Sequence, residues 1–148
     1  MVDSKAKGAR GEDAAKKKLK ELTGLNWERV PLSGAMHQRL MMKGDLFIPG
    51  VDNVYCVEVK NYQDDHLTSK YLTDKTPQFS IWWAQTIREA GQVNKLPLLI
   101  FKFNRSKFFV AFQSENTPKS DFIYLSKDNV YVMLLETWIS EYTPKFIQ

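Results

Sequence analysis

Apolar residues recur at a helical period near the start of the chain. Ala15, Leu19 and Leu22 are three or four residues apart, which predicts an amphipathic helix. Gly24 follows and provides a helix stop. One step earlier the same spacing reaches Glu12, so we expect Glu12 on the inward face of this helix. An acidic residue in a first turn is also favoured by the helix dipole alone, so its placement does not by itself establish a function.

Short apolar runs predict five strands, at residues 26–32, 46–48, 54–59, 96–103 and 107–112. A strand, a helix and a second strand in this order favour a right-handed crossover between parallel strands. The fifth run follows a turn and is expected to pair antiparallel with the fourth. The sequence therefore predicts an α/β fold with a mixed central sheet flanked by helices, in the order α-β-β-β-α-β-β.

The second predicted helix lies between the third and fourth strands. Thr76 as the cap and Pro77 at the first position begin it, and Gly91 ends it. An apolar stripe, which we expect in the core, comprises Phe79, Trp83, Ile87 and Ala90. A polar loop is predicted before it, at residues 61–75. Further along, residues 122–125 form a short extended piece and residues 130–142 end in a helix.

The second and third predicted strands bring charged side chains together. Because side chains alternate along a strand, Glu58 and Lys60 share one face and Val57 and Val59 share the other. A hairpin turn between the two strands would bring Asp45 alongside. Two carboxylates and one ammonium group would then meet at one place, where burial without partners would be costly.

This cluster predicts a metal-dependent site for phosphodiester cleavage. The carboxylates of Asp45 and Glu58 and the backbone carbonyl of Val59 are hard oxygen ligands that suit Mg²⁺ or Mn²⁺. Such an ion can bind a phosphate oxygen and acidify a water, and Lys60 can orient that water and stabilise developing charge. The simpler interpretation is a solvated edge strand with an ordinary Glu–Lys pair, because this short pattern also arises by chance.

Length, composition and charge limit the class of protein. Residues 1–148 suit a single domain, and no apolar run approaches the roughly 18 residues that a membrane span needs. A net charge of +4 permits nucleic-acid binding without requiring it. Cys56 is the single cysteine, so a reducing cytoplasm is the expected location. His37 and His66 lack zinc-type spacing, which argues against a zinc site.

Cationic residues lie on both sides of the predicted site in the sequence. Lys7 and Arg10 belong to a basic arm at the start of the chain, and a polar segment from Ser33 to Lys43 contains Arg39. These four cations are candidate phosphate contacts beside an acidic metal site. A surface loop with scattered charges would give the same pattern.

Several ordered motifs together resemble one nuclease family. They are K-G-A-R-G-E at residues 7–12, V-P-L-S-G at residues 30–34, Asp45, C-V-E-V-K at residues 56–60, and D-H-L at residues 65–67. This pattern resembles the archaeal-type Holliday-junction resolvases, which belong to the PD-(D/E)XK, or restriction-endonuclease-like, nucleases. Three departures are visible: Gly44 stands where the family name has proline, residues 35–43 look longer than in compact members, and the second helix is unusually aromatic at Trp82 and Trp83.

The resemblance implies a restriction-endonuclease-like core and a role for each matching residue. Asp45 and Glu58 would hold Mg²⁺, with Mn²⁺ as a substitute, together with the Val59 carbonyl. Lys60 would position the attacking water. Glu12 would complete the acidic cluster, directly or through water.

On the DNA side, the resemblance implies that Ser33 contacts the scissile strand and that Lys7 and Arg10 hold phosphates. It also implies a homodimer that cuts two opposing strands of a four-way junction. Large apolar side chains late in the chain point to dimerisation too, because they exceed what a small core easily covers, unless they fill the core of one monomer. They are Phe108, Phe109, Phe112, Trp138 and Tyr142.

Two other functions are compatible with the sequence. A sequence-specific endonuclease of homing or restriction type would use the same core, although 148 residues leave little room for an extra recognition domain. The second alternative is a DNA-binding module with an inactive acidic cluster, although the four residues expected in the active site are all present. The primary expectation is a metal-dependent, structure-selective DNA endonuclease, since fold alone does not determine the substrate.

Overall fold

The described residues of the chain form one sheet of seven strands. The computed structural model describes residues 4–31, 42–65 and 67–148, with side chains from residue 10 onward. The strands are β1 Glu28–Arg29, β2 Leu46–Phe47, β3 Tyr55–Tyr62, β4 Leu96–Phe103, β5 Phe109–Phe112, β6 Ile123–Leu125 and β7 Val130–Leu134. The helices are α1 Ser4–Thr23, α2 Lys70–Thr73, α3 Gln78–Gln92 and α4 Leu135–Tyr142.

The sheet is mixed, as predicted, and its strands follow the order β1-β2-β3-β4-β5-β7-β6. β3 and β4 are parallel and joined through α3, and all the other pairs are antiparallel. The predicted β2–β3 hairpin and β4–β5 hairpin are therefore confirmed. β6 and β7 bring the number of strands to seven, where five were predicted, because the β-branched and aromatic run before α4 extends the sheet.

Helix α1 is longer than predicted and lies close to β3. It begins at Ser4, so the predicted basic arm is part of the helix, and it ends before Gly24, which has a φ of +72°. Ala15 and Leu19 are fully buried, in agreement with the predicted stripe. At Gly11 an added Cβ would lie 2.8 Å from the Cβ of Asn61, so only glycine permits this approach of helix to strand.

Two apolar layers enclose the sheet. On one face, α1 and α4 cover a core that includes Val57, Ile100 and Trp138. On the other face, α3 covers a core that includes Phe101 and Trp83. The middle of β4 is buried on both faces, which explains its nearly continuous apolar sequence. Glu58 and Lys60 belong to the α3 side of β3.

The buried stripe of α3 differs from the prediction in detail. Phe79, Trp83 and Ala90 are buried, but Ile87 is 43% exposed and Trp82 occupies the core instead. At roughly 100° per residue, Ile87 lies on one flank of the stripe centred on Phe79, Thr86 and Ala90. The helix begins at Gln78 with Pro77 in the cap position, so the prediction of Thr76 as the cap was wrong. It ends at Gln92, one residue beyond the predicted stop at Gly91.

The polar segment after β3 is more ordered than the predicted loop. β3 continues to Tyr62, and α2 occupies four residues. The carboxylate of Asp128 accepts hydrogen bonds from the Tyr71 hydroxyl at 2.8 Å and the Ser80 hydroxyl at 2.7 Å. Lys127 donates to the carbonyl oxygens of Tyr71 and Asp74. Distant side chains, which no local pattern reveals, therefore hold α2 in place.

The late aromatic residues contribute mainly to the core of one monomer. Phe112 and Trp138 are buried, and Phe108, Phe109 and Tyr142 are partly buried against the two core layers. Phe112 and Trp138 therefore do not belong to an exposed apolar surplus of the kind that was expected to drive dimerisation. Within the described ranges, no helix combines the length and the apolar character that crossing a membrane requires.

Candidate active site

Asp45 is held beside β3 by backbone hydrogen bonds as well as by its side chain. Its N–H donates to the carbonyl of Val57 at 2.7 Å, and its carbonyl accepts from the N–H of Val30 at 2.9 Å. Its Oδ2 accepts from the N–H of Val59 at 2.7 Å. In an antiparallel pair, the N–H and C=O of one residue point to the same neighbour, so the Val59 carbonyl is directed to this side too.

Gly44 permits this arrangement. It has a φ of +86°, and an added Cβ would lie 2.7 Å from the carbonyl oxygen of Val57. Proline holds φ near −65°, so it could not adopt this conformation. The absence of the proline of the P-D pattern is thus a requirement of the local backbone and leaves Asp45 in the predicted position.

The carboxyl group of Glu58 lies in a buried position. It is only 3% exposed and projects from β3 toward α3. Burial raises the pKa of Glu58 to about 10, and contact with the Glu89 carboxyl group and the negative charge of Asp45 act in the same direction. The ionised form is therefore strongly disfavoured unless a cation compensates it.

Glu12 approaches the cluster from α1, on the opposite side of β3. Burial, followed by the negative charge of Asp45, raises the pKa of Glu12. Arg29 of β1 counteracts this shift, because its Nε donates to Oε2 of Glu12 at 2.9 Å. The helical stripe thus predicted the position of Glu12, whereas its pairing with Arg29 was not predicted.

Helix α3 supplies two site residues that sequence reasoning missed. Lys60 donates from Nζ to Oε1 of Gln85 at 2.9 Å, so the amide fixes the end of the lysine side chain. Glu89, one turn later, contacts Glu58. The spacing of Gln85 and Glu89, four residues beside the buried stripe, is the one sequence signal for this pair.

A cleft of about 150 Å³ opens between the segment that precedes β2, the strand β3 and the helix α3. Among the described residues, three carboxyl groups line it, those of Asp45, Glu58 and Glu89. Lys43 and Gln85 also line it and add a cationic and an amide group. A cleft of this size and charge suits a small cation and its water ligands better than an apolar ligand.

The donors in this cleft fit a divalent cation by chemistry. In the part of the chain that the structure describes, no three acidic, histidine or cysteine side chains surround one point as ligands, and the carboxyl groups meet in pairs. Among the same residues, no lysine or arginine forms an ion pair with Asp45, Glu58 or Glu89. Oε2 of Glu89 is buried and receives no hydrogen bond. Hard oxygen ligands are what Mg²⁺ and Mn²⁺ prefer.

The predicted DNA contacts are described only in part. Ser33 and Arg39 lie outside the described residues, and Lys7 lies in α1 at a position where the side chain is not described. Arg10 is exposed on α1, two residues before Glu12, and Lys43 lines the cleft. The roles of all five residues in DNA binding stay predictions.

The chain is similar to a family of phage proteins, to a curated phage protein and to a solved structure. The model of a family described as "Phage putative PDDEXK endonuclease" matches residues 3–148. Protein D14 of Escherichia phage T5 is 38% identical over 148 residues, covering 93% of this chain and 92% of that protein. The solved structure of Archaeoglobus fulgidus Hjc, a Holliday junction resolvase, has a TM-score of 0.48 and 16% identity, covering 96% of this chain and 99% of that one.

Proposed function

The chain belongs to the phage PD-(D/E)XK endonuclease family, and on this premise we propose that it is a metal-dependent, structure-selective enzyme that cleaves four-way DNA junctions. Membership in a nuclease family implies a DNA substrate. The observation that supports the proposal most directly is the contact of Asp45, which precedes β2, with Glu58 of β3 in a polar cleft, where Gln85 also holds the end of Lys60.

In the proposed mechanism, Asp45 and Glu58 would hold the metal together with the carbonyl of Val59. A bound Mg²⁺, or Mn²⁺ in its place, would supply positive charge to a phosphate oxygen and lower the pKa of a water. Asp45 is oriented for this role by its bonds to Val57 and Val59. A group that is held rigidly before the reaction needs little reorganisation energy during it.

Lys60 would direct its ammonium group at the attacking water and the developing negative charge. Its hydrogen bond to Gln85 limits the side chain to one orientation, which a flexible lysine would otherwise lack. The amide of Gln85 is neutral, so it fixes Lys60 without neutralising it. This differs from an ordinary Glu–Lys pair, in which the carboxylate would neutralise the charge of the ammonium group.

The proposed substrate and assembly follow from the sequence motifs. Lys7, Arg10, Arg39 and Lys43 would contact phosphates, and Ser33 would contact the scissile strand. A four-way junction has approximate two-fold symmetry, so a homodimer would present two equivalent sites to opposing strands. Residues 1–148 would form one nuclease domain, and the enzyme would act in the host cytoplasm on branched DNA of recombination and repair.

A cleavage assay tests this proposal. The purified protein is incubated with Mg²⁺ and equimolar labelled four-way junction, linear duplex and single strand, with EDTA and Glu58→Gln as controls. We expect paired cuts in the junction alone, and none in either control. Cleavage of the linear duplex at a defined sequence would instead support a homing or restriction-type enzyme. Junction binding by the wild type without any cleavage would support an inactive DNA-binding module.

A further inference from the structure

We propose that Tyr62 of β3 is a substrate-positioning residue that contacts an unstacked DNA base beside the scissile phosphate. This inference rests on the proposed nuclease function and deepens it, because it names a side chain that would distinguish branched DNA from linear duplex. Tyr62 lies outside the D-E-x-K pattern, two residues after Lys60.

The position of Tyr62 follows from the way β3 lies beside α3. Side chains alternate along a strand, so Glu58, Lys60 and Tyr62 share one face of the sheet. Two strand residues advance about 6.6 Å and one helical turn about 5.4 Å, so successive side chains on this face meet successive turns of α3. The pairs in contact are Glu58 with Glu89, Lys60 with Gln85, and Tyr62 with Trp82. Tyr62 is therefore the next side chain after Lys60 on the face that bears the proposed catalytic residues.

The side chain of Tyr62 is both supported and accessible. Its ring stacks on the ring of Trp82, with 4.5 Å between the centroids and 26° between the planes. Trp82 is buried and packs in turn against Phe79 and Phe101. Tyr62 itself is 37% exposed. A ring that is already held on a packed ring loses little conformational freedom when it binds a ligand.

The distance from Lys60 to Tyr62 fits a neighbouring nucleotide. Lys60 would direct its charge at the scissile phosphate, and Tyr62 lies two residues, or roughly 6.6 Å, further along β3. A DNA strand rises about 3.4 Å per base, so this distance spans about two bases. The ring would therefore meet nucleotides close to the scissile bond.

An aromatic ring at this position would select unstacked bases. In linear duplex DNA each base is already stacked on its neighbours, so a protein ring gains a stacking contact only by displacing one of them. Stacking is interrupted at the branch point of a four-way junction. Aromatic side chains bind unstacked bases with little regard to their identity, because every base has a π face. Tyr62 would thus favour branched DNA without reading its sequence.

Fluorescence of 2-aminopurine tests the assignment. This base analogue replaces one base at a time around the branch point of a junction, and at the same positions in linear duplex. Each full-length protein carries Glu58→Gln so that the DNA stays intact. We expect one position beside the cleavage site to stay quenched with Tyr62 or Tyr62→Phe and to brighten with Tyr62→Leu, because an unstacked base without a ring beside it is bright. Tyr62→Leu should also weaken junction binding about tenfold, since a base stacked on an aromatic side chain contributes roughly 5- to 150-fold.

Tyr124→Leu is the matched control. Tyr124 is also an exposed strand tyrosine, but it pairs with Tyr131 on the sheet face that α1 and α4 cover. This control should change neither the fluorescence nor the affinity. Tyr62→Thr, which retains a side chain that strands favour, is a second variant without a ring. Thermal unfolding identifies the variants that fold, and only those are compared.

Unchanged junction affinity in the ringless variants, without brightening at any position, would overturn the assignment and leave the nuclease function standing. Equal losses of affinity for junction and linear duplex would overturn it too, because they would make Tyr62 a contact to the DNA backbone. A wild type that cuts linear duplex as fast as the junction would instead contradict the proposed structure selectivity.

Discussion

Replacing Glu58 by glutamine should stabilise the metal-free protein, because Glu58 is a buried acid without a cation. Its pKa is about 10 in the folded protein and 4.5 in the unfolded reference, so the native state holds the proton more tightly. Stability is therefore fully present below pH 4.5 and is lost as pH rises toward 10. At pH 7, which is about 2.5 pH units above the reference value, the loss is about 3 kcal/mol at roughly 1.36 kcal/mol per unit.

Glutamine has the shape of glutamate but does not ionise, so the loss of stability with rising pH disappears in Glu58→Gln. Urea unfolding followed by circular dichroism in EDTA measures the difference in free energy of unfolding between the two proteins. We expect the variant to exceed the wild type by under about 1 kcal/mol at pH 5 and by about 3 kcal/mol at pH 7. Glu115→Gln controls for the loss of one surface charge.

A Glu58→Gln variant that is no more stable than the wild type at pH 7 would contradict this prediction, and so would a stability difference that does not grow with pH. Either result would mean that the folded protein compensates an ionised Glu58 without a metal. Saturating Mg²⁺ should narrow the gap, because an ion that binds only the native wild type adds its binding free energy to stability.

Four further outcomes are expected. Asp45→Asn should abolish cleavage while junction binding persists, and full activity of this variant in a gel assay would remove Asp45 from the site. Ca²⁺ should support binding with little cleavage, because Ca²⁺ is larger than Mg²⁺ and its coordination geometry is less strict. Lys60→Ala should lower the single-turnover rate more than the affinity, because its charge acts in the transition state; the reverse would make it a phosphate contact. Arg10→Ala should reduce the slope of log affinity against log salt by about one if Arg10 contacts one phosphate; an unchanged slope places it away from DNA. Sedimentation at micromolar concentration should give a dimer, and a monomer would contradict the proposed assembly. Heterodimers of wild-type and Glu58→Gln subunits should nick one junction strand, and paired cuts by these heterodimers would contradict the proposal of one site per strand.

The periodicity of the side chains within each element determined the positions of several residues around the cleft. The alternation of β3 predicted that Glu58 and Lys60 share a face, and both contact α3. The turn after β2 predicted the hairpin that brings Asp45 to β3. The three-to-four spacing of α1 predicted the inward position of Glu12. Each of these depends on the geometry of one element or of two neighbours in sequence, which the side-chain pattern encodes directly.

The wall that α3 contributes was decided by tertiary structure. Periodicity shows that a helix has an apolar face, but its rotation against the sheet depends on how large side chains fit between the layers. Trp82 took the core position predicted for Ile87, and the helix flank with Gln85 and Glu89 turned toward β3. No pattern within α3 distinguishes that flank from the solvent-exposed one. Packing across the sheet distinguishes them, because it involves residues far apart in the chain.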